Sequence, residues 1–199
     1  MHKIFVTNGI VLWKRGVGEA NTQVAILTDE LGLVRVSARS ARLWRSKLRY
    51  GLEPLTRARF SLVRGRHEWK LTGVERVSRD YVMLRECSPS SVQNVQAIAR
   101  VARLLLRLIH GEMPMGELFA SVTAGFDHIS NADSVENVEA SECLLVLRIL
   151  HHLGYIPHTN TLTPFLSDDS FSEDVILQAV GSRSLLIITI NNAIAETGL

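Results

Sequence analysis

The apolar residues of this chain change period once, near residue 79, which restricts it to a small β-structure followed by helices. Before that point they come in short β-branched and aromatic runs separated by turn residues; beyond it they recur every three to four positions. Lys3–Lys14 carries Ile4, Phe5, Val6, Ile10, Val11 and Trp13 around a turn-like Asn8-Gly9. Thr22–Thr28 alternates about Val24 and Ile26. Asp29-Glu30-Leu31-Gly32 then turns it back into Leu33–Ala38, a hairpin in which Gly32 is free to take a positive φ. Arg39–Gly51 has no clean period, and Pro54–Arg64 and His67–Val77 follow as strands with Gly65 at their turn. Five strands with an irregular segment after the third match a small Greek-key barrel of OB type; an SH3-like barrel fits the pattern almost as well.

The expected class is therefore α+β: a five-stranded OB-fold barrel over residues 1–79 and an all-α domain over 80–199. Ser90-Ser91 offers N-caps for a helix from Val92 to about His110, with Val95, Ala99, Ala102, Leu105, Leu106 and Ile109 as its apolar stripe. Met115–Ile129 reads as a weaker helix and Val135–Leu153 as a strong one, with Glu136 and Glu139 early and Gly154 at C′. A polar linker, Pro157–Ser172, precedes helix Glu173–Gly181. The Ile-rich Ser184–Glu196 fits helix or strand and is read as helix.

Charge divides at the same place. Residues 1–79 hold 16 of the 22 Lys+Arg and 6 of the 20 Asp+Glu, a balance of +10, leaving −8 for residues 80–199. Such asymmetry suggests a nucleic-acid-binding half joined to one with another task, and the predominance of Arg suits phosphate contact and stacking. The alternative is a solvated basic face. No apolar run is long enough for a membrane helix, and no signal-peptide core is seen at the N-terminus, so a cytoplasmic, nucleoid-associated protein is expected. Cys87 and Cys143 form no metal-ligand spacing and read as small buried residues.

Catalytic signatures are missing. There is no GxxxxGK[ST] loop and no GxGxxG after a strand, and Gly16-Val17-Gly18 is weak evidence for a phosphate cradle. His151, His152 and His158 lack a cysteine pair and read as a helix C-terminal charge with exposed solvation. Asp168, Asp169, Glu173 and Asp174 read as helix N-terminal charge plus solubility. No nucleophile, base or metal set can be assembled, so neither an enzyme nor a cofactor is expected.

The candidate binding surface is the irregular segment and its neighbours. Ser37–Tyr50 interleaves Arg39, Arg42, Arg45, Lys47 and Arg49 with Trp44 and Tyr50, the composition of a groove that tracks phosphates and stacks bases with little sequence preference. On the other reading, Trp44 plugs the barrel bottom and Leu43 and Leu48 are core. Arg57, Arg59, Arg64 and Arg66 add a second cluster, with Arg57 and Arg59 on one strand face, and Lys14 and Arg15 end the first strand.

These residues also carry a resemblance. Thr7-Asn8-Gly9-Ile10-Val11-Leu12, then Gly18-Glu19-Ala20, Leu27-Thr28 with Gly32, Ala38-Arg39-Ser40-Ala41-Arg42, Ser46 and Leu52-Glu53-Pro54-Leu55 resemble the opening of the bacterial RecO family of recombinational repair mediators. The family's segment usually reads Ala-basic-Gly-Ala-Arg, so Ser40 stands where a glycine is usual. Leu150-His151-His152-Leu153-Gly154-Tyr155-Ile156-Pro157 is similar to the family's Leu-Gly-Tyr-x-Pro stretch. Many members follow it with a four-cysteine zinc-binding element; Thr159–Asp168 has no cysteine, so the element is expected to be lost and the metal absent.

The resemblance implies an OB-fold that binds single- and double-stranded DNA, fused to a helical domain for protein contacts. It implies ATP-independent strand annealing and recombinase loading with a RecR-like partner. It also implies a groove for the C-terminal tail of single-stranded-DNA-binding protein; the helix Val92–His110, where Arg100, Arg103 and Arg107 fall at i, i+3 and i+7 on one face, is where that groove is expected. An OB-fold RNA-binding or ribosome-associated factor, and a protein adaptor, are the competing readings.

Overall fold

A computed structural model describes residues 3–66, 68–78 and 89–196, with backbone alone for Arg76–Ser78 and Pro89–Ser91. His67, Cys87, the expected boundary at residues 79–80 and the side chains of Ser90 and Ser91 lie outside what is described. By internal contacts the chain forms two compact units, Met1–Met83 with Ala102–Gly116, and Leu84–Val101 with Glu117–Leu199.

The first unit holds β1 (Ile4–Val17), β2 (Asn21–Thr28), β3 (Gly32–Ala38), β4 (Arg57–Arg64) and β5 (Trp69–Ser78). They close into a barrel in the order β1-β2-β3-β5-β4. All pairings are antiparallel except β3 with β5, where Val36 faces Trp69 and Ser37 faces Lys70. This is the OB-type Greek key. Val24, Ile26, Val34, Val36, Phe60 and Leu62 are fully buried at its centre, the inward half of each alternating strand.

Asn8-Gly9 is not a turn. β1 runs through it, pairing with β4 over Ile4–Ile10 and with β2 over Gly9–Val17. A Cβ on Gly9 would lie 2.6 Å from Ile26 Cγ2, so the glycine serves close approach at the bend. A bulge between Val11 and Trp13 adds to that bend.

Residues 39–56 cross the barrel end through turns and one 3₁₀ turn, Arg49–Leu52. Leu52 and Ala41 enter the barrel core and Leu48 packs against it, whereas Leu43 is 51% and Trp44 76% exposed. The reading of Leu43 as core is therefore corrected, and Leu52 is the residue that fills the barrel end.

The helices are α1 (Pro89–Leu108), α2 (Gly116–Asn131), α3 (Val135–His152), α4 (Thr163–Leu166), α5 (Glu173–Gly181) and α6 (Arg183–Glu196). α3 is central, burying Leu144, Leu145, Leu147, Ile149 and Leu150. It starts at Ser134, whose Oγ accepts from the Asn137 amide, and stops before Gly154 at φ 80°. On α1 the buried stripe is rotated from expectation: Ala97, Ile98 and Val101 are buried, and Val95, Ala99 and Leu106 only partly. Asn94 turns that face inward by donating to the Ser130 and Ala132 carbonyls. The expected linker Pro157–Ser172 contains α4, with Phe165 buried, and is thus not a bare linker. No described helix is long and apolar enough to cross a membrane.

Candidate nucleic-acid interface

Strand alternation builds a basic wall on the outside of the barrel. In β3, Val34 and Val36 point inward, which turns Arg35 and Ser37 outward; in β5, Trp69 and Leu71 point inward and turn Lys70 outward. Parallel pairing of Ser37 with Lys70 then places these cations on one surface. With Gln23, Arg39 and the β4–β5 turn (Arg64, Arg66, Glu68), they line a cleft of about 1210 Å³. Its opposite wall is Leu106 and Ile109–Glu112, within the same compact unit. The face of strands 2 and 3 with the 4–5 turn is where OB barrels take oligonucleotides.

The cleft carries Arg35, Arg39, Arg64, Arg66 and Lys70 against Glu68 and Glu112. Arg64 pairs with Glu112 and lies over the Trp69 ring at 5.0 Å. Arg35, Arg39, Arg66 and Lys70 have no ion-pair partner among the described residues. Sequence reasoning singled out Arg39, Arg64 and Arg66 but missed Arg35 and Lys70. Alternation marked both as outward; their proximity depends on the non-local β3–β5 pairing.

The Arg39–Tyr50 segment splits into scaffold and solvent-exposed surface. Arg42 donates from Nη1 to the Gly18 carbonyl at 2.7 Å and from its amide to the Ala20 carbonyl at 2.9 Å, tying the segment to the β1–β2 turn. Ser40 takes φ 55°, the left-handed region, while its amide donates to Asn21 Oδ1. Trp44 stands in solvent with the Arg45 guanidinium 4.6 Å from its ring centre, and Tyr50 is also exposed. Lys47 and Arg49 are exposed nearby in sequence. Lys14 is engaged with Glu53 at 2.8 Å, and Arg15 is exposed. Arg57 and Arg59 share the outward face of β4, with Arg59 opposite Glu75.

Of the three arginines on α1, Arg100 is committed: its Nε and Nη2 donate to the Glu142 carboxylate at 2.7 and 2.5 Å, which raises its pKa. Arg103 and Arg107 are exposed and without an ion-pair partner among the described residues.

The histidines are more tightly held than exposed solvation would allow. His151 and His152 are half-buried; His151 Nδ1 contacts the Ile156 carbonyl at 2.8 Å and His152 Nε2 contacts Asp169 Oδ2 at 3.2 Å. Asp169 also accepts from Ser121 Oγ, so its part exceeds solubility. The Ser170 side chain, and then its amide, which donates to Asp168 Oδ1, lower the Asp168 pKa. Among the described residues no three His, Cys, Asp or Glu side chains are placed to hold a metal ion, and Thr159–Asp168 offers no thiolate. These residues do not fit a four-cysteine zinc element.

Residues 1–78 match the family model "Recombination protein O N terminal". The chain is 28% identical over 155 residues to a DNA repair protein RecO of Heliobacterium modesticaldum, covering 78% of this chain and 53% of that protein. The RecO of Gloeothece citriformis is 27% identical over 157 residues, 79% of this chain and 54% of that protein. That of Dehalococcoides mccartyi is 37% identical over 73 residues, 37% of this chain and 29% of that protein. The RecO resemblance read from the sequence stands, and the barrel is similar to the N-terminal part of that family. The chain spans about half the length of the Heliobacterium and Gloeothece proteins.

Proposed function

We propose that this RecO-type chain acts in recombinational DNA repair as a non-catalytic DNA-binding mediator. Its carrying observation is the outward wall of Arg35, Arg39, Arg66 and Lys70, four cations without carboxylate partners among the described residues, on the face where OB barrels take ligands. Phosphates bound there release counterions, so affinity falls steeply with salt. Trp44 and Tyr50, exposed among Arg45, Lys47 and Arg49, offer stacking surfaces for unpaired bases. Neutralising one strand while leaving its bases accessible lowers the repulsion met by a second, the physical basis for annealing without ATP. Double-stranded DNA binds the same cations through its phosphates. The names of the relatives, all DNA repair proteins, support the repair assignment.

A RecR-like protein and the acidic C-terminal tail of single-stranded-DNA-binding protein are the proposed partners. The tail is assigned to Arg103 and Arg107, with Arg100 set aside by its pairing to Glu142.

The test is titration of a fluorescent deoxyoligonucleotide from about 50 to 300 mM salt, with complementary-strand annealing followed in the same samples. Salt-steep binding with annealing in the absence of ATP is expected. Absence of binding at the lowest salt, or a clear preference for the ribo-oligonucleotide of the same sequence, overturns the DNA reading.

A further inference from the structure

Among the described residues, Arg64 is the one cation of the cleft that already carries a carboxylate, and the arrangement around it is specific. Its guanidinium is held over the Trp69 ring at 5.0 Å, so the ring fixes where a phosphate would have to meet it. Glu112 reaches that guanidinium from the opposite wall of the cleft. The loop bearing Glu112 is tethered beside the barrel: Met115 donates to the Asp29 carbonyl, and the Met113 backbone lies so close to Gly32 that a Cβ there would be 2.3 Å from the Met113 carbonyl oxygen. Between these tethers and Gly111, at φ 96°, the Glu112 side chain is partly open to solvent.

We propose that Glu112 is a displaceable guard that occupies a phosphate position on Arg64 until a single strand enters the cleft. The proposal rests on the DNA-binding reading above and adds a specificity-determining residue to it. A cation neutralised by its own carboxylate contributes no net counterion release, so Arg64 is silent in the resting cleft. A strand must exchange Glu112 for phosphate, which only a ligand already anchored on Arg35, Arg66 and Lys70 does efficiently. Isolated phosphates and short anions are thereby disfavoured against a continuous backbone. Only the Glu112 side chain has to swing outward.

The experiment measures binding of the 199-residue chain to a fluorescent oligo-dT in wild type, Glu112→Gln, Glu30→Gln, Arg64→Gln and Arg64→Gln/Glu112→Gln. Glu30 is exposed in the β2–β3 turn and does not line the cleft, so its variant reports the effect of removing one negative charge from the general field. Glu112→Gln is expected to bind about five- to tenfold tighter at 50 mM salt, with the log–log salt slope steeper by about 0.7, the signature of one added single-strand phosphate contact. In the Arg64→Gln background that gain disappears. Equal tightening by Glu112→Gln and Glu30→Gln, or a gain that survives Arg64→Gln, overturns the guard while leaving DNA binding intact. If no variant binds, the DNA reading falls and the guard falls with it. Binding by Glu112→Gln alone supports both.

Discussion

Arg148 Nε donates to the Phe165 carbonyl at 2.9 Å from within the apolar face of α3. Its Nη2 reaches the carbonyls of Asp168 and Ser170 at 2.6 and 2.9 Å, and its guanidinium lies 4.7 Å from the Phe171 ring centre. At 1% exposure it is a buried cation; burial lowers its pKa, and Asp169, 3.9 Å away, opposes that shift. One guanidinium thus gathers the stretch from Phe165 to Ser170.

Arg148→Met is expected to destabilise the helical unit by about 3–5 kcal/mol, because three buried or half-buried carbonyls and Asp169 lose their donor at once. Arg148→Lys recovers only part, since an ammonium cannot span the fork. Urea unfolding followed by circular dichroism at 222 nm checks this. A loss below about 1 kcal/mol would mean that the loop is held by Phe165 packing alone.

Ser40→Gly is expected to stabilise the barrel by about 0.5–1 kcal/mol. An L-residue in the left-handed region costs about 1–2 kcal/mol, of which glycine's added chain entropy takes back part. The bond from the residue-40 amide to Asn21 Oδ1 uses only backbone and survives the change. All three tryptophans, Trp13, Trp44 and Trp69, lie in the barrel half, so the fluorescence transition in urea reports that unit. No change in midpoint would show that Ser40 is not strained.

His128 is half-buried on α2, stacked on Phe171 at 5.4 Å, and burial lowers its pKa from the ordinary 6.5. In the unfolded chain it takes up a proton first as pH falls. Its stabilising contribution is therefore complete above pH 6.5 and lost as pH drops through the lower folded value. Melting temperatures of wild type and His128→Gln at pH 8, 7, 6 and 5 should converge toward acid, with the wild type falling further. Parallel curves would assign the acid sensitivity elsewhere.

What could be read from the residues alone followed what is local. The hairpin of β2 and β3 was legible because alternation and Gly32 agree. Asn8-Gly9 misled because the dipeptide usually signals a turn; here Gly9 serves a close approach to Ile26, a contact made across strands. In the aperiodic Arg39–Gly51 stretch and just past it, nothing distinguished Leu43, which is exposed, from Leu52, which enters the barrel core. Arg148 could be placed on an apolar helix face, yet its acceptors lie 17 to 22 residues onward in a segment without periodicity. The cleft was half legible: Arg39, Arg64 and Arg66 stood out by charge, while joining Arg35 to Lys70 required the parallel β3–β5 pairing.

Trp44→Ala is expected to weaken oligonucleotide binding by about 1–3 kcal/mol, the worth of one base stacked on an aromatic ring. The slope of affinity against salt should not change, because no phosphate contact is removed. Since the side chain is 76% exposed, folding should be unaffected. Unchanged affinity would confine binding to the cleft.

Arg35→Gln with Lys70→Gln should leave the opposite signature. Neither cation has a carboxylate partner among the described residues, so each is available to a phosphate, and losing both should flatten the log–log salt slope for single strands by about 1.4. The loss in affinity is then largest at low salt and fades as salt rises. Lys14→Gln makes the comparison: it is paired with Glu53 at 2.8 Å, and its removal should move the slope far less. Arg42 is unsuitable for the same purpose, because its bond to Gly18 couples any charge effect to the position of the whole segment. If Lys14→Gln and the double variant flattened the slope equally per charge removed, binding would follow net charge rather than the cleft, and the assignment of the strand to the β3–β5 wall would fail.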